Sequence, residues 1–197
     1  VSGDDLVSFA VMGAAYASRI SSNDRPRVAL LSNGSEPHKG TAAVVEAHRA
    51  LRTLDCLDFI GNIEGMDIPR GTADVVVTGG FTGNIALKML EGISETMMRL
   101  GKYAMQKSIM YKTGLALLSP AVKRLRQVTD WEQYGGAPIL GFDRVCIKAH
   151  GRSSPRAIKN ALKVAHKAVR TEMLPAIVAG LEDAGLSAKR KEDQPRP

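Results

Sequence analysis

Residues 74–84, Asp-Val-Val-Val-Thr-Gly-Gly-Phe-Thr-Gly-Asn, restrict the possible folds more than any other stretch. The β-branched apolar run is expected to be a strand buried on both faces. Behind it a glycine-rich turn passes directly into helical periodicity. In an open α/β sheet, ligands bind outside the carboxyl ends of the strands, where such a turn falls. Small residues let backbone N–H groups approach an anion, and a helix N-terminus adds partial positive charge. The expectation is a phosphate or oxyanion site.

The rest of the chain repeats this alternation. Short apolar runs at 27–32, 57–63, 73–78 and 145–150 close on Gly, Asn or Asp, the pattern of buried parallel strands. Helical patterns occupy 42–54, 84–107 and 155 to about 181, and the opening residues carry an amphipathic core helix (Leu6, Phe9, Ala10, Tyr16, Ile20). Ser154-Pro155 and Ser119-Pro120 each place a cap before a proline at the first helical position. The fold class expected is α/β, with a mainly parallel sheet and helices on both sides. A four-strand count is low for a doubly wound domain, so the sheet is expected to continue in residues beyond this chain. The opening at Val1 rather than Met fits a processed or excised chain. Residues 189–197 (KRKEDQPRP) read as a disordered tail.

Composition excludes several classes. No apolar run reaches the ~18 residues of a transmembrane span, and the opening residues lack a signal-peptide pattern. Cys56 and Cys146 are the only cysteines and lie in apolar runs, so they are expected to be buried thiols in a reducing cytoplasm. The net charge of +7 is concentrated between Glu95 and Asp130, where there are seven basic and no acidic residues. Nucleic acid is disfavoured as the partner, because this segment offers no base-stacking platform.

If the strands are parallel, four loops share one sheet edge: Asn33–Thr41, Gly61–Gly65, Gly79–Asn84 and Lys148–Ser154. They carry Asn33, Lys39, Asn62, Asn84, Lys148, His150 and Arg152, a set suited to a small dianion and an oxyanion. Each asparagine also suits a turn or a cap. Lys39 and His38 suit a solvated loop, and His150 a hydrogen-bonded structural role. Glu36 and Glu64 suit pairing with cations or capping of helices. The recurrence of amide and cation in successive loops is what favours a site.

Common chemistries fail. Residues 79–88 lack the Gly, Lys and Ser/Thr spacing of a nucleotide phosphate loop, and no Gly-x-Gly-x-x-Gly follows a strand. There is no Gly-x-Ser-x-Gly elbow and no zinc-ligand spacing, so neither a metal nor a cofactor is expected. The chain offers no obvious covalent nucleophile, and a reaction in which bound phosphate itself attacks would need none.

The stretches RPRVALLSNGSEPHKG (25–40), DFIGNIEG (58–65), DVVVTGGFTGNIALK (74–88), YGGAPILG (134–141) and IKAHGRSSPRAIKNAL (147–162) together resemble the phosphate acyltransferases of bacterial phospholipid synthesis, the PlsX family. The resemblance implies a three-layer α/β/α sandwich similar to isocitrate and isopropylmalate dehydrogenases and to phosphotransacetylases. It places residues 1–188 in the C-terminal portion of that domain, without the family's opening segment. It further implies transfer of a long-chain acyl group from acyl carrier protein to inorganic phosphate by a homodimer at the membrane surface. Lys39, His150, Asn62 and Asn84 are the catalytic candidates that follow. Asn33, Gly34, Glu36, Gly61, Glu64, Gly80, Gly83, Lys148 and Gly151 are the candidates for binding phosphate and substrate. Where the family usually has an acidic residue, this chain has Gly79.

Under the resemblance, the basic segment 105–128 becomes an amphipathic helical insertion. Leu115, Leu118, Val122 and Leu125 form an apolar face for the bilayer interface, with lysines and arginines attracted to anionic lipid. The same surface suits acidic acyl carrier protein or a dimer mate. The expected location is the cytoplasm, peripheral to the inner face of the cell membrane. Two other readings are a phosphotransacetylase-like enzyme using acyl-coenzyme A, and an inactive dimerisation module.

Overall fold

The computed structural model describes residues 1–21, 23–107, 110, 113, 114 and 135–186. They divide into two compact units. The first holds residues 1–79, 138–146 and those from 165 onward; the second holds 80–137 and 147–164.

The first unit is built on a parallel sheet. Strands β1 (Arg27–Leu31), β2 (Asp58–Ile63) and β3 (Val75–Val77) lie in the order β2-β1-β3, with β1 paired in parallel to both neighbours. Central β1 is the most deeply buried, with Val28, Ala29 and Leu30 all fully inaccessible. Helix α1 (Gly3–Ser21) starts at a reciprocal cap. The Ser2 hydroxyl accepts from the Asp5 N–H at 3.1 Å, and the Asp5 carboxylate accepts from the Ser2 N–H at 2.9 Å. Helix α2 (Ala42–Leu51) is capped by the Thr41 hydroxyl, which accepts from Val44 N–H.

One core joins these elements. Leu6, Val7, Ala10 and Ala14 of α1 meet Val28 and Leu30 of β1, Ala47 and Leu51 of α2, and Val77 of β3. Complete burial of a leucine such as Leu30 stabilises by about 1.5–3 kcal/mol. Arg27 and Asp74 clamp the amino ends of β1 and β3: both guanidinium–carboxylate contacts are 3.0 Å, and the Arg27 N–H also donates to Asp74 at 2.8 Å. This arrangement lowers the Asp74 pKa to about 2.

A second apolar cluster forms along the other side of α1. Met12, Tyr16 and Ile20 pack with Leu140, Val145 and with Met173, Ile177 and Leu181 of helix α5 (Met173–Asp183). Helix α4 (Pro155–Arg170) ends just before it. The expected single pattern over 155–181 is therefore two helices, divided where Glu172 takes the left-handed conformation at φ 52°.

In the second unit, helix α3 (Gly80–Lys107) begins four residues earlier than the apolar pattern suggests, taking in Gly80 and Gly83. Glycine-rich sequence suggests a loop, yet the first turn of a helix has free N–H groups and tolerates such residues. Strand β5 (Cys146–Lys148) also departs from expectation. It pairs with β4 (Ala137–Ile139) in a separate two-stranded sheet, not as a further strand of the parallel one. Gly135 lies so close to α4 that a Cβ there would stand 2.2 Å from the Ala161 nitrogen.

The parallel sheet with its flanking helices is mixed α/β, consistent with an α/β/α sandwich. Both cysteines are exposed rather than buried. Cys56 falls in the turn before β2, and Cys146 opens a short strand of the separate pair, so neither sits in the apolar interior that flanking residues suggested. The helix after Ser119-Pro120, the membrane-contacting candidates Leu115, Leu118, Val122 and Leu125, and the tail 189–197 lie outside the described residues. No described helix is long and apolar enough to cross a membrane.

Candidate functional site

The parallel pairing puts the carboxyl ends of β1, β2 and β3 on one edge. From central β1 the chain crosses to β2 on one side, then to β3 on the other. That reversal is a topological switch point, where open α/β sheets bind ligands. Seven of the sequence-derived candidates stand along this edge: Asn33, Gly34, Glu36, Lys39, Gly61, Asn62 and Glu64.

The loop after β1 is held by a small set of bonds. Ser32 N–H donates to the Ile63 carbonyl at 2.9 Å, extending the pairing with β2 by one residue. Glu36-Pro37-His38-Lys39 then forms a turn closed by Lys39 N–H on the Glu36 carbonyl at 3.0 Å. Proline at the second position of such a turn presets the required φ. The Glu36 carboxylate and the Lys39 methylenes both fold over Gly34; a Cβ there would stand 2.7 Å from one and 2.8 Å from the other. Gly40, at φ 105°, leads into Thr41 and α2.

Asn62 is buried, and both ends of its amide are engaged. Its Nδ2 donates to the Glu36 carbonyl at 2.9 Å, and its Oδ1 lies 2.9 Å from Nδ1 of buried His48. A bulge in β2 makes this possible. The register slips so that Val28 pairs with Phe59 but Ala29 with Gly61, and Gly61 adopts φ 101°. In a regular strand Phe59 and Asn62, three residues apart, face opposite ways. The bulge turns both toward α2: the Phe59 ring meets the His48 ring edge-on at 5.2 Å, and Asn62 bonds its nitrogen.

After β2, the Glu64 N–H donates to the Asp67 carboxylate at 3.0 Å, and Arg70 pairs with Asp67 at 3.3 Å. The Glu64 side chain remains exposed.

Gly80, Gly83 and Asn84 lie in the second unit, at the start of α3, where the first helical N–H groups emerge and no acidic residue stands in the first turn. Lys148, His150 and Gly151 lie in the same unit. The Lys148 backbone packs tightly on Gly136, whose Cβ position is 2.8 Å from the Lys148 carbonyl oxygen. His150 Nδ1 accepts from Arg152 N–H at 3.1 Å. Ser153 N–H closes the turn on the His150 carbonyl at 2.9 Å, and Ser154 Oγ caps α4 through Ala157 N–H at 3.3 Å. The Ser153 hydroxyl is buried without a hydrogen-bond partner among the described residues.

His48 and Ser153 were not singled out by sequence reasoning. His48 sits in an ordinary helical pattern, and only the β2 bulge explains its engagement with Asn62. Ahead of Pro155 the sequence points only to a cap, at Ser154. Among the described residues, no group of three His, Cys, Asp or Glu side chains could hold a metal ion.

Comparison with known proteins agrees with the motifs. The sequence model of a family described as "Fatty acid synthesis protein" matches residues 1–175. A phosphate acyltransferase of Campylobacter lari is 48% identical over 159 residues, which is 81% of this chain and 48% of that protein. One of Thermodesulfovibrio yellowstonii is 42% identical over 191 residues, 97% of this chain and 54% of the relative. One of Dictyoglomus turgidum is 42% identical over 176 residues, 89% and 52% respectively. The chain thus spans about half the length of these curated relatives. A chain matched over residues 1–175 belongs to the fatty acid synthesis protein family, and its relatives here are named phosphate acyltransferases.

Proposed function

We propose that this chain serves an enzyme that transfers a long-chain acyl group from acyl carrier protein to inorganic phosphate, giving an acyl phosphate for phospholipid synthesis. The observation that carries the proposal is the Glu36–Lys39 turn, fixed at the switch point of a parallel sheet in a chain whose relatives are named phosphate acyltransferases. A phosphate oxygen attacks the thioester carbonyl carbon; the carbon–sulfur bond breaks, and the thiolate leaves and takes up a proton. No covalent enzyme intermediate is required. Holding both reactants removes much of the entropic barrier to their association.

In this proposal Lys39 and His150 hold the phosphate or the oxyanion that develops on the carbonyl. Asn84 orients reactants from the start of α3, and Asn62 does so through the loop to which it is bonded. Asn33, Gly34, Glu36, Gly61, Glu64, Gly80, Gly83, Lys148 and Gly151 shape the binding loops. Lys39→Ala and His150→Ala are each expected to lower turnover at least ~100-fold if they stabilise transition-state charge. A near-normal rate in either variant removes that residue from the mechanism.

The partners proposed are acyl carrier protein, phosphate, a second copy of the chain and an anionic membrane surface on the cytoplasmic side. The support for the membrane is the acid-free segment 105–128, with leucines flanked by lysines and arginines. A donor series of long and short acyl groups on carrier protein and on coenzyme A separates this reading from a phosphotransacetylase-like one. Preference for short coenzyme A thioesters supports the latter.

A further inference from the structure

Asn62 connects two groups of different kind, and the chemistry of one fixes the state of the other. The Glu36 carbonyl can only accept, so the amide atom facing it at 2.9 Å must be the nitrogen. Oδ1 therefore faces His48 Nδ1 at 2.9 Å, and because Oδ1 can only accept, Nδ1 must carry a proton. The Glu36 carbonyl also accepts from Lys39 N–H at 3.0 Å, so both its acceptor positions are used. His48 and Asn62 are each 6% exposed, so water does not readily replace either partner.

The chain of bonds runs from the interior to the loop. His48 is held by α2 and by the Phe59 ring; Asn62 is turned toward it by the bulge at Gly61; the amide then grips the turn that carries Lys39. We propose that His48 is a positioning residue, which through its Nδ1–H sets the Asn62 amide and thereby the Glu36–Lys39 turn for the anion that Lys39 holds. It touches neither reactant. The part of this inference that concerns the anion rests on the acyl-to-phosphate reading above; the part that concerns the loop does not.

The test uses His48→Leu, which keeps volume but removes the donor, and His48→Asn, which returns an N–H near the place of Nδ1. In the unaltered chain, long-range ¹H–¹⁵N correlation spectra should show the His48 proton on Nδ1. A neutral ring protonated only at Nε2 overturns the proposal even if the leucine variant does not fold. The amide signals of residues 36–40, except Pro37, should shift in His48→Leu and return in His48→Asn; unchanged signals in His48→Leu overturn it as well. Titration with inorganic phosphate then follows those amides. Loss of a buried hydrogen bond predicts about tenfold weaker phosphate binding in His48→Leu, largely restored in His48→Asn. Equal affinity in the unaltered chain and His48→Leu overturns the anion part. A silent titration in the unaltered chain refutes the phosphate reading, while the amide shifts still decide the positioning claim.

Discussion

Gly40→Ala tests the geometry of the candidate site with numbers that can be worked out in advance. Gly40 has φ 105°, a conformation in which an L-side chain is strained by about 1–2 kcal/mol. A Cβ at this position would stand 2.8 Å from Val44 Cγ1, 2.9 Å from Ser32 Oγ and 3.0 Å from Val44 Cβ. Rotation of Val44 relieves the first contact but not the last, so crowding adds about 1–3 kcal/mol. The expected destabilisation is about 2–5 kcal/mol. Gly71→Ala supplies the comparison, since Gly71 has φ 67° but, among the described residues, nothing within 4 Å of its Cβ position. Backbone strain alone predicts about 1 kcal/mol there. Urea denaturation followed by far-ultraviolet circular dichroism measures both on one scale. If the two variants agree within about 0.5 kcal/mol, the close approach of Gly40 to Val44 and Ser32 is refuted. Because Gly40 joins Lys39 to the cap of α2, the same substitution should weaken phosphate binding while Gly71→Ala leaves it unchanged.

Other consequences follow from single contacts. Leu51 is 1% exposed in the main core, so Leu51→Ala should cost about 2–5 kcal/mol in the same assay. Asp74 is held at a pKa of about 2 by Arg27, below its ordinary value of roughly 3.9. A lowered carboxylate pKa contributes stability that is present above the unfolded value and lost as pH falls from about 5 toward 2. Asp74→Asn should therefore reduce the loss of stability between pH 6 and pH 3, read as the shift in urea midpoint. For the proposed membrane face, Leu118→Glu with Leu125→Glu should abolish flotation with anionic vesicles and leave the circular dichroism spectrum intact; undiminished flotation overturns that proposal.

Much of the fold could be read from local chemistry. The runs at 27–32 and 57–63 are apolar and bounded by turn residues, and both became strands of the parallel sheet. The run at 145–150 has the same composition yet belongs to a two-stranded pair, because its own composition does not say which strand it will pair with, here the preceding Ala137–Ile139. The start of α3 is not legible in the sequence because Gly80 and Gly83 resemble a loop, although a helix needs no side chains to form its first turn. Gly34 and Gly40 show why loop glycines matter, since neighbouring side chains fill the space a Cβ needs. His48 was beyond reach for a different reason. Its partner is selected by one extra residue in β2, and periodicity of two places Asn62 on the wrong face without that bulge.

Gly79 remains the chief chemical departure from the resemblance stated for the motifs. Among the described residues, a Cβ at Gly79 would meet only Val1, at ordinary van der Waals distances of 3.7 and 3.9 Å. Space therefore does not require glycine at this position. Nothing in the structure explains the absence of a carboxylate.

The most direct test of the account is formation of acyl phosphate from a long-chain acyl carrier protein and inorganic phosphate. It should be run with this chain alone and with a polypeptide of the full length of its relatives. The account predicts acyl phosphate in stoichiometric balance with released carrier-protein thiol, and its loss in Lys39→Ala and His150→Ala. Folded protein of full length that releases no thiol in the presence of phosphate, or that yields only free fatty acid, contradicts it.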